Sequence, residues 1–388
     1  MTKIYTALGL MSGTSGDGVD ASIIKSDGNT KYEVILDEYY KYTDEIYKEF
    51  HSLKKTHDDI NDYERFFSEY EEALFFLEAK ITLFHADLVN EIIKDSKIDI
   101  DLIGFHGQTI RHDPEDGFSR QLGDGKLLSK STKQIVIYNF RANDLKNRGQ
   151  GAPLAPIFHK LLIEQNKLSL PVTILNIGGI SNITSINKNK DMTSSDVGPG
   201  NCLIDQWIRL NSDKLFDKDG LIARSGKINI PILKKALDSF YSSFLRGKKS
   251  YDVSDFDLSF VKDLSIEDGT TTLTEFTADI IITKMLMDID KIDDSIDVNA
   301  PTPKNNIYIC GGGRKNQFLI ERIKFCSQRG NNENKINIID DLGIDGDFIE
   351  SQAFGYLAIR SYLGLPISFP ETTGCINPCT GGVIVKNY

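Results

Sequence analysis

Short apolar runs broken by glycine-rich turns open the chain, and a helical pattern follows them. Residues 4–11 read as a strand that stops at Ser12-Gly13-Thr14, and residues 19–25 resume an extended apolar pattern, so the two predict a hairpin with a tight bend. Between residues 44 and 94 the period changes. Phe66, Tyr70, Leu74, Leu77, Ile81, Phe84, Leu88 and Ile92 step by three or four, which predicts helix with one apolar stripe against a core and no chemistry of its own. Strand signals return at 102–105, 135–138 and 172–177, with a helix-like stretch at 155–165, and this alternation predicts an α/β protein. Residues 288–306 are acidic and carry Pro301 and Pro303, so they read as a solvated surface connection. Beyond it come a strand at 306–310, a Gly311-Gly312-Gly313 turn, a helix at 314–326 and a last helix at 348–363, with Phe354, Leu357, Ala358 and Tyr362 at helical spacing. No period of about 20–50 residues is evident, which argues against a solenoid or propeller.

Length turns this alternation into two domains, since 388 residues exceed one ordinary core. Lys and Arg total 45 against 56 Asp and Glu, a formal charge of -11, which argues against nucleic acid or an anionic membrane as the main partner. The first eleven residues lack the pattern of a signal peptide, and no run approaches the roughly 20 apolar residues of a membrane span. Five scattered cysteines, an odd number, fit free thiols in a reducing compartment, so a cytoplasmic location is expected. Cys375 and Cys379 stand four apart without a His/Cys companion pair nearby, and buried or loop thiols are the better reading than zinc ligands.

Three strands end in glycine-rich turns, and such turns let backbone amides approach an anion. Gly13, Thr14, Ser15, Gly16, Asp17 and Gly18, running on through Val19 to Asp20, suit a phosphate turn, with hydroxyl donors at Thr14 and Ser15 and Asp17 or Asp20 to hold hydrated magnesium (Mg2+); an ordinary hairpin turn is the plain alternative. Asn176-Ile177-Gly178-Gly179 forms a second turn. Gly311, Gly312 and Gly313 with Asn316 form a third, where a flat base or ribose can lie against bare backbone. Neither a Walker pattern nor a dinucleotide fingerprint is present.

Six blocks then recur in one order: Gly9-Leu10-Met11-Ser12-Gly13-Thr14-Ser15, residues 105–112 around His106-Gly107-Gln108-Thr109, residues 140–156 around Arg141, Asp144 and Gly149-Gln150-Gly151-Ala152-Pro153, Asn176-Ile177-Gly178-Gly179, Asp196-Val197-Gly198-Pro199-Gly200-Asn201, and Cys310-Gly311-Gly312-Gly313 with Asn316. Together they resemble the anhydro-N-acetylmuramic acid kinase family of the actin/hexokinase-like superfamily, from residue 9 to about residue 374. The chain departs from that family at Gly16, where Leu or Met is usual, at Arg148, where Gly is usual, and at Asn139, where an acidic residue is common. The resemblance implies a two-domain actin-like ATPase with ribonuclease H-like halves and a nucleotide cleft between them. The halves are expected at 1–160 with 351–388, and at 161–350.

It also implies the chemistry: ATP and water open the anhydro bridge of anhydro-N-acetylmuramic acid and give N-acetylmuramic acid 6-phosphate and ADP, in peptidoglycan recycling. Asp196 matches the base that takes the proton of water. The turns at Gly13 and Gly178 fit charge stabilisation of the transferring phosphoryl group. His106, Gln108 and Thr109 suit sugar hydroxyls or the acetamido group. Arg141 has two readings, an ion pair with Asp144 or a fork for the lactyl carboxylate. Glu350 either acts near nucleotide or magnesium or stabilises a helix N-terminus. Family resemblance also suggests a homodimer. Two rivals remain: a kinase of this fold acting on another small acceptor, and a non-catalytic sugar or nucleotide sensor.

Overall fold

Leu8 and Leu10 point to one side of a strand and Gly9 to the other, and that alternation decides how the first sheet is covered. A computed structural model describes residues 3–60, 62–244, 251, 253–292, 305–328 and 334–388. These fall into two units, Met1–Gln165 with Phe348–Tyr388, and Asn166–Asp347.

The first unit begins with β1 (Tyr5–Ser12), β2 (Gly18–Ser26) and β3 (Tyr32–Lys41), an antiparallel meander. Helices α1 (Asp44–Asp59), α2 (Tyr63–Glu69) and α3 (Glu71–Ser96) follow, and the chain returns through β4 (Leu102–Asp113), β5 (Phe118–Leu122), α4 (Gly125–Thr132) and β6 (Ile135–Tyr138) to α5 (Ala142–Lys146) and α6 (Pro156–Gln165). The second unit opens with another antiparallel meander, β7 (Val172–Ile177), β8 (Ile180–Ile186) and β9 (Met192–Pro199). After it come α7 (Cys202–Asn211), α8 (Leu221–Ser225), α9 (Ile230–Phe244), α10 (Ile266–Ile292), β10 (Asn306–Cys310), α11 (Gln317–Ser327) and β11 (Lys335–Ile338). The chain then rejoins the first unit with α12 (Ile349–Tyr362), α13 (Pro370–Thr373) and β12 (Val383–Val385).

The two sheets repeat one plan. In the first the order is β12-β6-β4-β1-β2-β3, with β5 beside β4, and in the second β11-β10-β7-β8-β9. In each, a three-strand meander is extended by two parallel strands on the side of its first strand. This is a duplicated α/β fold, as expected.

One face of the first sheet buries Leu8, Leu10, Val19 and Ile103 against Phe50, Phe66, Leu77 and Ile81 of the α1–α3 layer. The opposite face has glycine where β1 and β4 meet α12. A Cβ on Gly9 would lie 1.9 Å from the Ser351 carbonyl oxygen, and one on Gly104 would lie 2.2 Å from that of Phe354. Helix and strands therefore meet backbone to backbone. The second sheet packs Leu175, Ile177, Ile183 and Val197 on Ala278, Ile281 and Ile282 of α10 and on Leu319 and Ile323 of α11.

Several expectations need adjustment. The apolar stripe of 66–92 is spread over α2 and α3, and Tyr70 and Phe84 are only half-buried. Tyr362 is 40% exposed, so it does not belong to the buried face of α12. The cuts at 160 and 350 fall inside elements, for α6 and the whole of α12 belong to the first unit. Of the acidic 288–306 stretch, residues up to Ile292 complete α10 and 293–304 lie outside the described residues. Its end is not solvated: Asn305 is buried and its Nδ2 donates to Thr173 Oγ1 at 2.9 Å.

The three family departures share a conformation. Gly16, Asn139 and Arg148 have φ of 61°, 56° and 62°, the left-handed region that glycine enters freely and asparagine tolerates. Only the exposed Arg148 is poorly suited to it.

Gly9→Ala and Gly104→Ala should each destabilise the protein, at the upper end of the roughly 1–3 kcal/mol typical of overpacking, because the obstacle is backbone. Denaturant unfolding checks this. Midpoints equal to the parent would mean that α12 does not sit this close.

Candidate functional site

In the first unit, β1 ends at Ser12 and β2 starts at Gly18, so the intervening turn projects from the edge of a strand pair. Gly16 N–H donates to Gly13 O at 3.1 Å, closing the turn. A Cβ on Gly16 would lie 2.4 Å from the Phe50 ring, and one on Gly18 2.4 Å from Tyr40 O, so both positions have room only for glycine. Thr14, Ser15 and Asp17 are exposed, and the Ser15 hydroxyl donates to Asp17 Oδ1 at 2.6 Å. Val19 is fully buried in the core, which leaves its side chain no part in ligand contact. Asp20 stands opposite Tyr39 across β2 and β3, and burial, with Asp17 and Asp20 adding to it, raises the Tyr39 phenol to about 12.

Behind the turn, Ser12 is buried and shares a hydrogen bond of 2.8 Å with Tyr42 OH. His85 Nδ1–H donates to Ile81 O at 2.8 Å, leaving Nε2 facing Ser12 Oγ at 3.4 Å, and burial lowers this imidazole to about 4, so it is neutral. Gln108 pairs with Ser12 across β4 and β1, and its Nε2 donates to Gly13 O at 2.8 Å. Its Oε1, fully buried, has no partner among the described residues. Gln108 thus holds the turn rather than standing open to a sugar, while Thr109 is half-buried and accepts from Gln121 Nε2 at 3.4 Å.

His106 lies two residues before Gln108. Its Nδ1–H donates to Gly107 O at 2.8 Å, so Nε2 accepts from Arg141 Nη2 at 3.1 Å, and the ring lies 4.6 Å from that of Phe354. Burial first, then the Arg141 charge, lowers it to about 3. Neutral His106 is therefore a fixed acceptor that aims Arg141. Asp144 does not take that cation. It is 1% exposed, and its partners are Gly151 N–H and Thr373 O–H, each at 2.7 Å, and Cys379 Sγ at 3.8 Å. The expected ion pair of Arg141 with Asp144 is thus absent. Glu350 is half-buried in the first turn of α12, whose N-cap Phe348 supplies no side-chain cap.

In the second unit the polar residues form a row. Asn176 is opposite Asn182, and Asn182 opposite Asp196, so all three side chains share one face, the reverse of the one that buries Leu175 and Ile183. Between Ser181 and Asn182 the β8–β9 register shifts, because Val197 is an extra residue. This bulge on an edge strand sits directly beside Asp196, and a bulge re-aims its neighbours. Asp196 is thus a strand residue at a bulge rather than a turn cap. Its Oδ2 accepts from Tyr251 N–H at 2.9 Å, and the residue is half-buried.

The Gly178-Gly179 turn is docked on the next one. Gly200 N–H donates to Gly179 O and Asn201 N–H to Gly178 O, both at 2.8 Å, and a Cβ on Gly200 would lie 2.2 Å from Gly178 O. The amide of Gly178 itself bonds Ile180 O at 3.2 Å, so it is not open as a phosphate donor in this arrangement. Alongside, β10 runs parallel to β7 and brings Gly311 against Ile177; Gly311 has φ of 77° and Gly313 no room for a Cβ beside Ile177. Gly312 alone of the three is exposed with open space above it. Asn316 is buried and caps α11, its Oδ1 accepting from Leu319 N–H at 3.0 Å.

Sequence reasoning missed two groups here. Arg314 is buried beneath the third turn and bonds Gly311 O, both oxygens of Asp340, Asp345 and Asp347, which holds Asp340 below the usual carboxylate range. The density of aspartates in 340–347 was the available signal. Asp205, in the first turn of α7, is raised from 3.8 to about 7 by burial, Arg209 opposing and Asp217 adding to the shift. Nothing in its surroundings along the chain marks it.

A family model described as anhydro-N-acetylmuramic acid kinase matches residues 5–387. The anhydro-N-acetylmuramic acid kinase of Pelagibacter ubique (strain HTCC1062) is 50% identical over 390 residues, and that of Agrobacterium fabrum (strain C58 / ATCC 33970) 35% identical over 393, each match covering 100% of both chains. The crystal structure of ethanolamine utilization protein EutJ from Carboxydothermus hydrogenoformans matches 91% of this chain and 89% of its own, at 10% identity and a TM-score of 0.36. No helix among the described residues is long and apolar enough to cross a membrane.

Between pH 4 and 7 the folded state keeps a proton on Asp205 that the unfolded chain has lost, so this group's contribution to stability falls as pH rises through that window. Asp205→Asn should therefore be more stable than the parent at pH 8, by roughly 1–4 kcal/mol, with the gain vanishing toward pH 4. Unfolding midpoints at the two pH values test it, and a gain independent of pH would contradict the assignment.

Proposed function

The chain belongs to the anhydro-N-acetylmuramic acid kinase family, matched across residues 5–387, and on that basis we propose that it uses ATP and water to convert anhydro-N-acetylmuramic acid into N-acetylmuramic acid 6-phosphate and ADP. Asp196 carries the reading: a carboxylate beside a β-bulge, in one row with Asn176 and Asn182 and next to a turn built from backbone contacts.

Asp196 takes a proton from water as the water oxygen bonds to the anomeric carbon. The bond from that carbon to the bridging oxygen breaks, and this oxygen attacks the terminal phosphorus of ATP, with ADP leaving. The Tyr251 amide, bonded to Oδ2, holds this carboxylate in one direction for that task. Asn176 and Asn182 supply neutral amides for the sugar on the same face.

In the first unit the role of Arg141 is to meet the lactyl carboxylate, its guanidinium oriented by the neutral acceptor of His106. Thr109 offers its hydroxyl to the sugar. Gln108 acts through the turn it holds, Glu350 supports the phosphate end from the start of α12, and Asp144 ties α5, the helix that Arg141 precedes, to the loop after it.

Thr14 and Ser15, with amides of the 13–18 turn other than that of Gly16, bind phosphate oxygens of ATP, and the open face over Gly312, fixed by Arg314, takes the flat part of the nucleotide. Asp17 and Asp20, gathered near the Tyr39 phenol, are an all-oxygen set of the kind that suits magnesium, whose contribution when bound is to neutralise phosphate charge. A cytoplasmic place in peptidoglycan recycling follows from this substrate.

Asp196→Asn should lower turnover by roughly 100- to 10,000-fold with ATP affinity retained. With the parent enzyme in oxygen-18 water, product mass should show one phosphate and one solvent oxygen. Turnover of the variant close to that of the parent would reassign the base, and phosphate without solvent oxygen would mean ordinary hydroxyl phosphorylation.

A further inference from the structure

Far along the chain from Asp144, the segment after α13 returns two thiols to it. Asp144 lies on α5, and the segment is stitched to the loop that follows: Gln150 N–H donates to Thr373 O at 2.9 Å and Ile376 N–H to Asn147 O at 3.0 Å. The carboxylate of Asp144 and the sulfurs of Cys375 and Cys379 thus converge, with one donor atom from each within 4.8 Å of the others. All are interior positions, at 1%, 2% and 8% exposure.

Two independent observations point to a cation. The first is charge. Asp144 is enclosed, yet its partners, Gly151 N–H, Thr373 O–H and Cys379 S–H, are all neutral. Interior carboxylates are ordinarily matched by a basic side chain or a metal. The second is donor geometry. Zinc bound to thiolates at about 2.3 Å and carboxylate oxygen at about 2.0–2.2 Å in a tetrahedron separates sulfur from sulfur by roughly 3.8 Å and sulfur from oxygen by roughly 3.5 Å. Cys379 Sγ already stands 3.8 Å from Asp144 Oδ1, and every edge of the triangle is at most about 1.3 Å too long.

We propose that Asp144, Cys375 and Cys379 form a structural site for a soft divalent cation, zinc in the first place, that clamps the segment after α13 to α5, the helix that Arg141 precedes, and to the loop that follows it. Binding replaces two thiol protons by one doubly charged ion, so the net charge of the cluster does not change, and what the Asp144 carboxylate gains is direct contact with a cation. A fourth donor is at hand in the Ser368 hydroxyl, 3.0 Å from Cys379 Sγ, or that of Thr373, 2.7 Å from Asp144 Oδ1. The sequence alone concealed this site because the third ligand sits more than two hundred residues before the cysteines.

The test is independent of the kinase reading, since it measures metal rather than turnover. Full-length protein from zinc-supplemented cells, desalted without chelator, should carry one zinc per chain by mass spectrometry. Cys375→Ser and Cys379→Ser should each lose it, and their unfolding midpoints should no longer rise with added zinc. After chelation, cobalt added to the parent protein should give a near-ultraviolet thiolate-to-cobalt charge-transfer band, a result that needs no variant to fold. Zinc content equal in the parent and the double serine variant, or cobalt without that band, overturns the proposal. So does a metal-free chain whose mass, lower by two hydrogens, shows the two thiols joined as a disulfide.

Discussion

The contact of the α12 backbone with Gly9 and Gly104 is the constraint on which the first unit depends. Leu8 and Leu10 fasten one face of β1 to the α1–α3 layer, so the other face is left to a helix that presses carbonyl groups into the space where side chains would be. With α12 seated there, β1 and β4 are fixed as parallel neighbours, and Ser12 comes level with Gln108. The amide of Gln108 can then reach Gly13 O, which sets the turn that carries the exposed hydroxyls. His106 is aimed by the same helix through Phe354, and it in turn aims Arg141.

The second unit reaches a comparable precision by other means. Gly178 and Gly200 meet backbone to backbone, with their polar groups bonded to each other rather than to side chains, so the end of β7 and the end of β9 are held together. The bulge at Val197 then lets a hydrophobic residue enter the core without turning Asp196 away from Asn182. A one-residue slip in a regular strand would have exchanged those two faces. Arg314 completes the arrangement by gathering three aspartates from one loop beneath the third turn.

What could be read from the chain followed from where apolar periodicity was strong. The hairpin, the helices of 44–96, the parallel strands and the glycine turns carry that signal, and together with the family blocks they pointed to the α/β plan. The edge strands do not carry it. β3 exposes Glu33, Val34, Tyr39 and Lys41, apolar and polar residues alike, and β9 runs through Thr193-Ser194-Ser195-Asp196, so neither shows apolar alternation. Asp196 was legible as a chemical group, yet its setting at a bulge was not, because a bulge is a property of two paired strands. Burial was equally hidden. Val19 and Asp144 sit among residues suited to ligands, but packing from distant segments encloses both.

The close seat of α12 also bears on the order in which the protein is completed during synthesis. Residues of the first unit leave the ribosome first, but the sheet of β1 and β4 lacks its covering helix until the entire second unit has been made. Domains fold as units as they emerge. The later-made half is therefore the one able to finish earlier, while the amino-terminal half waits with its glycine-lined face open for a helix still being translated.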